Sequence, residues 1–227
     1  MGFRGGDSPG HAALMADGGR FDPASLRLIA ITDSVRDGIE GLTARAVSAV
    51  LGGATMLQLR LKDETPRTLV EIARALRAAM PDVPLLVNDR ADVALAAGAQ
   101  GVHVGVDDIS PSSLRRVLPR EMVIGASVGD ESEVSRSVGA DYVGIGPVFG
   151  TGSKADAGVA IGVTRFAELA RRCALPVVAI GGVSVENAGA VMTAGASGIA
   201  VISALFASAD PSQAARALRS AQDASGR

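Results

Sequence analysis

The stretch "AGASGIAVI", residues 194–202, holds the fold in miniature. Val191 and Ala194 are spaced as on one face of a helix, and Gly195 suits the left-handed backbone position that ends one. The run that follows, from Ile199 to Ile202, is apolar without polar alternation. A strand hydrophobic on both faces is buried on both faces, which implies parallel pairing beneath a layer of helices. The same junction recurs as "GGAT" (52–55), "AGAQG" (97–101) and "VGADY" (138–142).

Working outward, short apolar runs appear at 26–32, 56–60, 84–87, 101–104, 122–127, 142–145, 176–180 and 198–202. Ala- and Leu-rich stretches lie between most of them, as where Leu69, Ile72, Ala73 and Leu76 follow helical spacing. Eight βα units predict an α/β chain folded as a closed (β/α)8 barrel over residues 26–227, with an open doubly wound sheet as the alternative. A chain of 227 residues, 48% hydrophobic, is long enough for that barrel to be a single domain. Residues 1–25 are rich in Gly, Asp, Ser and Pro and read as a flexible N-terminal extension, with His11 in solvent.

Charge and aromatic content exclude some functions. Lys and Arg total 22 against 24 Asp and Glu, and there is no Trp and one Tyr, so neither a basic stripe nor stacking rings speak for nucleic acid. No run reaches the ~20 apolar residues of a membrane helix, and none near the start matches a signal h-region. A lone Cys173 forms no disulfide framework or thiolate cluster and reads as a structural residue, which fits a soluble, cytoplasmic protein.

In such a barrel the active site lies at the C-terminal strand ends. The second run continues as "MLQLRLKDET" (56–65), where Gln58, Arg60 and Lys62 take one face and Leu57, Leu59 and Leu61 the other. The third ends in "VNDRAD", with Asn88, Asp89 and Asp92, and the fourth in "HVGVDDIS", with Asp107 and Asp108. Any of these aspartates can be read as a helix cap. Two carboxylates from neighbouring strands can instead share Mg2+, which takes one or two carboxylates plus substrate phosphates. Arg60, Lys62 and Lys154 would then hold phosphate oxygens.

"GTGSK" (150–154) lacks the spacing of a P-loop, yet its glycines, Thr151 and Lys154 can grip an anion. Gly181 and Gly182, with Ile202 and Ser203 opening the last βα junction, occupy the usual barrel position for a phosphate monoester. His103 reads as a core histidine satisfied by hydrogen bonds. Ser127 lacks a Ser–His–Asp setting and reads as a hydrogen-bonding group, not a nucleophile.

At these residues the chain resembles the thiamine-phosphate synthase family, from about Leu26 to Ala221. Gln58-x-Arg60-x-Lys62, "NDRAD", "GVHVGVDD", "GPVFGTGSKAD", "VAIGGV" with its later Asn, and "AGASGIAVISALF" match the family's series in order and spacing. The resemblance implies coupling of 4-amino-5-hydroxymethyl-2-methylpyrimidine diphosphate with a thiazole phosphate, giving thiamine phosphate and diphosphate. It implies Asp89 and Asp108 as Mg2+ ligands. Gln58, Leu59, Arg60, Leu61, Lys62, Asn88, Ser127 and Lys154 fall on the pyrimidine diphosphate side, with Arg60, Lys62, Ser127 and Lys154 catalytic. Thr151, Gly152, Ser153, Gly182, Ile202 and Ser203 fall on the thiazole phosphate side. Small-molecule substrates and a homodimer are the partners it implies.

Three positions depart from the family pattern. Val106 stands where Gln is common, Leu61 where an acidic residue is frequent, and Gly129 where many relatives carry His. That missing histidine argues against the rival thiazole tautomerase paralogues, which are expected to use it for proton transfer. A non-catalytic barrel that binds thiamine intermediates is the other rival, disfavoured by the intact Asp89, Asp108 and Lys154.

Overall fold

The computed structural model describes residues 22–152 and 158–224. Its eight parallel strands close into a barrel in sequence order. They are β1 (Leu28–Ile31), β2 (Met56–Leu59), β3 (Leu85–Asn88), β4 (Gly101–Val104), β5 (Val123–Val128), β6 (Tyr142–Ile145), β7 (Val177–Ile180) and β8 (Gly198–Val201). Around them run α1 (Gly38–Leu51), α2 (Pro66–Ala79), α3 (Ala91–Ala97), α4 (Pro111–Val117), α5 (Glu131–Val134), α6 (Gly162–Arg172), α7 (Ala188–Thr193), α8 (Ser203–Phe206) and α9 (Pro211–Ala224). No described helix is long and apolar enough to cross a membrane.

The repeated glycine junction behaves as its chemistry demands. Gly53, Gly98, Gly139 and Gly195 have φ of 112°, 67°, 95° and 104°, a region where a Cβ is strained. Each turns the chain from a helix end into the next strand. Helix starts are equally local: Thr65 caps α2 by accepting from the Thr68 N–H, and Pro66 takes the first turn. The buried face of α2 is Leu69, Ile72, Ala73 and Leu76, at the spacing read from sequence.

Alternation along the strands splits the core in two. Leu28, Leu57, Leu59, Val87, Val102, Ile145, Ala179 and Ile199 face the helices. Ile29, Ile31, Met56, Leu86, Val123, Tyr142, Val178 and Ala200 form the cluster inside the barrel. The first apolar run begins earlier than the strand does. Asp22 accepts from the Ala24 N–H, Pro23 fixes its own φ, and Pro23–Leu26 form a 3-10 turn instead of a strand. Leu26 from that turn is fully buried in the inner cluster, so the expected boundary at residue 25 falls inside an element packed on the barrel. The rest of the expected extension, with His11, lies outside the described residues.

Candidate active site

At the C-terminal rim, β2 carries Gln58, Arg60 and Lys62 in an inward-facing row. Gln58 is 4% exposed inside the barrel, while Arg60 and Lys62 line a rim cavity of about 420 Å3. Thr32, just past β1, fixes this row. Its N–H donates to the Gln58 carbonyl (3.0 Å), its Oγ1 accepts from the Arg60 N–H (2.9 Å), and its hydroxyl donates to the Arg60 carbonyl (3.2 Å). A buried hydroxyl thus continues the β1–β2 ladder beyond the last paired residue. The sequence signal for Thr32 was only a polar residue closing an apolar run.

The same cavity gathers Asn88, Asp89, Asp108, Ser127 and Thr151, so seven sequence-predicted residues from five strand ends share it. Asp89 has φ of 62°, unique among described non-glycine residues. Its N–H donates to the His103 carbonyl (2.8 Å), which prolongs the β3–β4 ladder and holds this sparsely populated conformation. Asp108 accepts from the Gly105 N–H (2.7 Å) and forms a side-chain hydrogen bond with Asp89. Burial, then that bond and the Asp108 charge, push Asp89 up to about 6, against the pull of Lys62 and Arg60.

The capping alternatives resolve on geometry. Ser110 caps α4, accepting from the Ser113 N–H (3.3 Å), which leaves Asp108 to the cavity. Asp92 pairs with Arg90 (2.5 Å), away from the site, and α3 has no side-chain cap. Two adjacent carboxylates are a donor set that a hard dication can take. Among the described residues no group of three His, Cys, Asp or Glu side chains could hold a metal, so waters and substrate oxygens would complete the shell around two carboxylates.

Beside this cavity lies a smaller one, about 40 Å3, lined by Gly181, Gly182, Ile202 and Ser203, with Thr151, Ile180 and Gly181 common to both. Two consecutive left-handed glycines permit the junction. A Cβ on Gly181 would sit 2.5 Å from Pro147, and one on Gly182 would sit 2.4 Å from the Gly150 carbonyl oxygen. Residues 147–150, just past β6, therefore lie directly on the β7–α7 turn, tied by the Phe149 N–H to the Gly181 carbonyl (2.9 Å). Gly152 is exposed and lines neither cavity, and Ser153 and Lys154 lie outside the described residues.

Leu59 and Leu61, which the resemblance puts on the pyrimidine diphosphate side, turn their side chains away from the cavity. Leu59 is 1% exposed in the core under the helices, and Leu61 packs against that same core. Alternation sends them outward as it sends Arg60 inward. Sequence reasoning missed Glu133, whose Oε2 accepts from the Gly129 N–H (2.6 Å) on the cavity wall. Its only signal was Asp130 three residues ahead, the spacing of a capping box. Cys173 follows α6, half-buried, with its thiol pushed up by burial.

Below the rim, the histidine expected in the core has both ring nitrogens engaged. His103 Nδ1 lies 2.9 Å from the Tyr142 hydroxyl and Nε2 lies 3.0 Å from Ser127 Oγ. Gly125 makes room, since a Cβ there would sit 2.4 Å from both His103 Nδ1 and Tyr142 Cζ.

A barrel closed in this way and charged at this rim has close counterparts. Residues 28–205 match the family described as thiamine monophosphate synthase. The thiamine-phosphate synthase of Azorhizobium caulinodans is 48% identical over 201 residues, covering 87% of this chain and 95% of that protein. Its counterpart in Xanthobacter autotrophicus is 46% identical over 203 residues, covering 88% and 96%. The solved thiamine phosphate pyrophosphorylase of Pyrococcus furiosus superposes with a TM-score of 0.79 at 37% identity, over 89% of this chain and 98% of that one. The chain therefore belongs to the thiamine monophosphate synthase family.

Proposed function

We propose that the chain joins 4-amino-5-hydroxymethyl-2-methylpyrimidine diphosphate to 4-methyl-5-(2-phosphoethyl)thiazole, releasing thiamine phosphate and diphosphate. The observation that carries this reading is the Asp89–Asp108 pair facing Arg60 and Lys62 across one cavity. The relatives named thiamine-phosphate synthase support it along nearly their whole length.

The reaction breaks the bond from the pyrimidine methylene to diphosphate, whose oxygen leaves with the electron pair. The thiazole nitrogen then donates its lone pair to the methylene carbon, and the ring becomes a thiazolium. No proton need be removed, so the reaction asks for no general base. What the chain must supply is charge neutralisation and alignment. Arg60 and Lys62 would bind phosphate oxygens, Arg60 with the planar fork that matches them. Asn88 and Ser127 would orient the pyrimidine side from neighbouring strand ends. Thr151, Gly182, Ile202 and Ser203 would hold the thiazole phosphate at the smaller cavity, together with Gly152 and Ser153, and Lys154 would bind the pyrimidine diphosphate. Gln58 would act from the floor.

Asp89 and Asp108 would hold Mg2+, which when bound supplies positive charge to the departing diphosphate. Two carboxylates from neighbouring strand ends on one cavity wall fit that role. The protein would work in the cytoplasm and, following the family resemblance, as a homodimer, which light scattering on the purified chain tests. Activity is tested by mixing both substrates with Mg2+ and following thiamine phosphate and diphosphate together. Equal formation of the two is the expected result. Diphosphate release without thiamine phosphate, or proton exchange on the thiazole alone, overturns the reading.

A further inference from the structure

Four buried or half-buried polar side chains form a line from the barrel floor to the cavity. The Gln58 side chain hydrogen-bonds the fully buried Tyr142 hydroxyl. That hydroxyl meets His103 Nδ1 at 2.9 Å, and His103 Nε2 meets Ser127 Oγ at 3.0 Å. Ser127 opens onto the cavity beside Arg60, Lys62 and the two aspartates. Each member comes from a different strand, β2, β6, β4 and β5, so the line crosses the barrel interior.

The chemistry of the members gives this line a direction. A protonated phenol is a strong donor and a poor acceptor, and the neutral imidazole nitrogen 2.9 Å from it is the better base of the two. The phenol proton therefore points to His103 Nδ1. A neutral imidazole that accepts at Nδ1 carries its proton on Nε2 and donates there. Ser127 Oγ then accepts, and its own proton turns toward the cavity.

We infer that His103 and Tyr142 are positioning residues that hold the Ser127 hydroxyl as a hydrogen-bond donor to an oxygen of the departing diphosphate. The inference rests on the proposed coupling reaction for its ligand, while the direction of the relay stands on the barrel interior alone. A donor aimed at an oxygen that gains charge during bond breaking lowers the barrier more than it strengthens ground-state binding. Neither ring touches the substrate; both act through Ser127.

The test has two independent parts. Nitrogen-15 NMR of the histidine-labelled full chain reads the tautomer directly, and with two histidines in the sequence a His11→Ala variant assigns the signals. His103 protonated on Nε2 is expected, with that bias lost in Tyr142→Phe. Protonation on Nδ1 in the unaltered chain overturns the relay and requires no variant to fold. In turnover, Tyr142→Phe and Ser127→Ala should each lower kcat about tenfold with KM little changed, the scale of one buried hydrogen bond. The double variant should be no slower than Ser127→Ala alone. Multiplying losses, or losses confined to KM, overturn the positioning role. An unaltered chain that fails to turn over sinks the coupling reaction instead, and the tautomer still decides the direction of the relay.

Discussion

Asp89→Asn separates chemistry from folding better than any other change at this rim. Three features of the position favour asparagine on structural grounds. The backbone at φ of 62° suits Asn as well as Asp. The N–H bond to the His103 carbonyl does not involve the side chain. A neutral amide also escapes the burial and the Asp108 charge that push the carboxyl up to about 6 from 3.8. A shift of that size corresponds to at most about 3 kcal/mol of penalty on the ionised form. Asp89 is half-buried, and solvent screening reduces this to about 1 kcal/mol.

The pH dependence follows from the direction of the shift. Below about pH 4 the carboxyl is protonated in both the folded and the unfolded chain, and the substitution changes little. Between there and about pH 6 the folded chain keeps a proton the unfolded chain has released, so wild-type stability falls as pH rises. Above pH 6 the penalty is complete. Urea unfolding in EDTA should therefore find Asp89→Asn level with wild type near pH 4 and about 1 kcal/mol more stable at pH 7.5. At pH 7.5 the same variant should lose coupling activity and any stabilisation by Mg2+ with inorganic diphosphate. A variant less stable than wild type at pH 7.5, or a gain independent of pH, refutes the account of the carboxylate pair. Retained Mg2+-dependent turnover refutes its metal assignment.

Other expectations follow from the same geometry. Leu59→Ala, inside the matched motif but under the helices, should cost about 2–5 kcal/mol of stability while turnover per folded molecule holds. A selective loss of kcat without loss of stability would place Leu59 at the site after all. Thr32→Val keeps the shape of the side chain but removes both hydroxyl bonds to the Arg60 backbone, so kcat/KM should fall about tenfold; unchanged kinetics would show that Arg60 needs no such clamp. The Cys173 thiol, raised by burial, should react with iodoacetamide at pH 8 more slowly than free cysteine and accelerate at higher pH. Alkylation as fast as a free thiol would contradict its half-buried setting.

The parts of this molecule written in local chemistry were legible in the sequence. Helix ends at Gly98 and Gly195, apolar strands without polar alternation, and the inward row of Gln58, Arg60 and Lys62 all depend on neighbours a few residues away. What escaped depends on distant partners. Thr32 matters because it meets Arg60, 28 residues on. Asp108 is freed from capping because Ser110 takes that role, and its loop is fixed by Gly105. Asp89 carries a left-handed backbone conformation that aspartate tolerates but that nothing in the neighbouring sequence requires, held by a carbonyl of the next strand. His103 was read as a satisfied core residue, and it is satisfied. The sequence could not show that one of its partners is a rim hydroxyl.

The charge balance of the cavity leads to a last expectation. Its described lining carries two cations, Arg60 and Lys62, against four carboxyl groups, Asp89, Asp107, Asp108 and Glu133. Such a wall repels a multiply charged diphosphate at the distances over which exposed charges act, about 10 Å at moderate salt. Arg60 and Lys62 are themselves within the field of Asp89, as its pKa records. Asp89 and Asp108 would hold a dication, whose charge would offset theirs and leave Arg60 and Lys62 to phosphate oxygens. Inorganic diphosphate should therefore bind weakly in EDTA and at least tenfold more tightly with Mg2+, by calorimetry at fixed ionic strength. In Asp89→Asn the metal-free affinity should rise and the Mg2+ enhancement shrink, because one change removes both the repulsion and the ligand. Equal affinity with and without Mg2+ in the unaltered chain would mean that the cations outweigh the carboxylates, and that the loop through Lys154 supplies the missing charge.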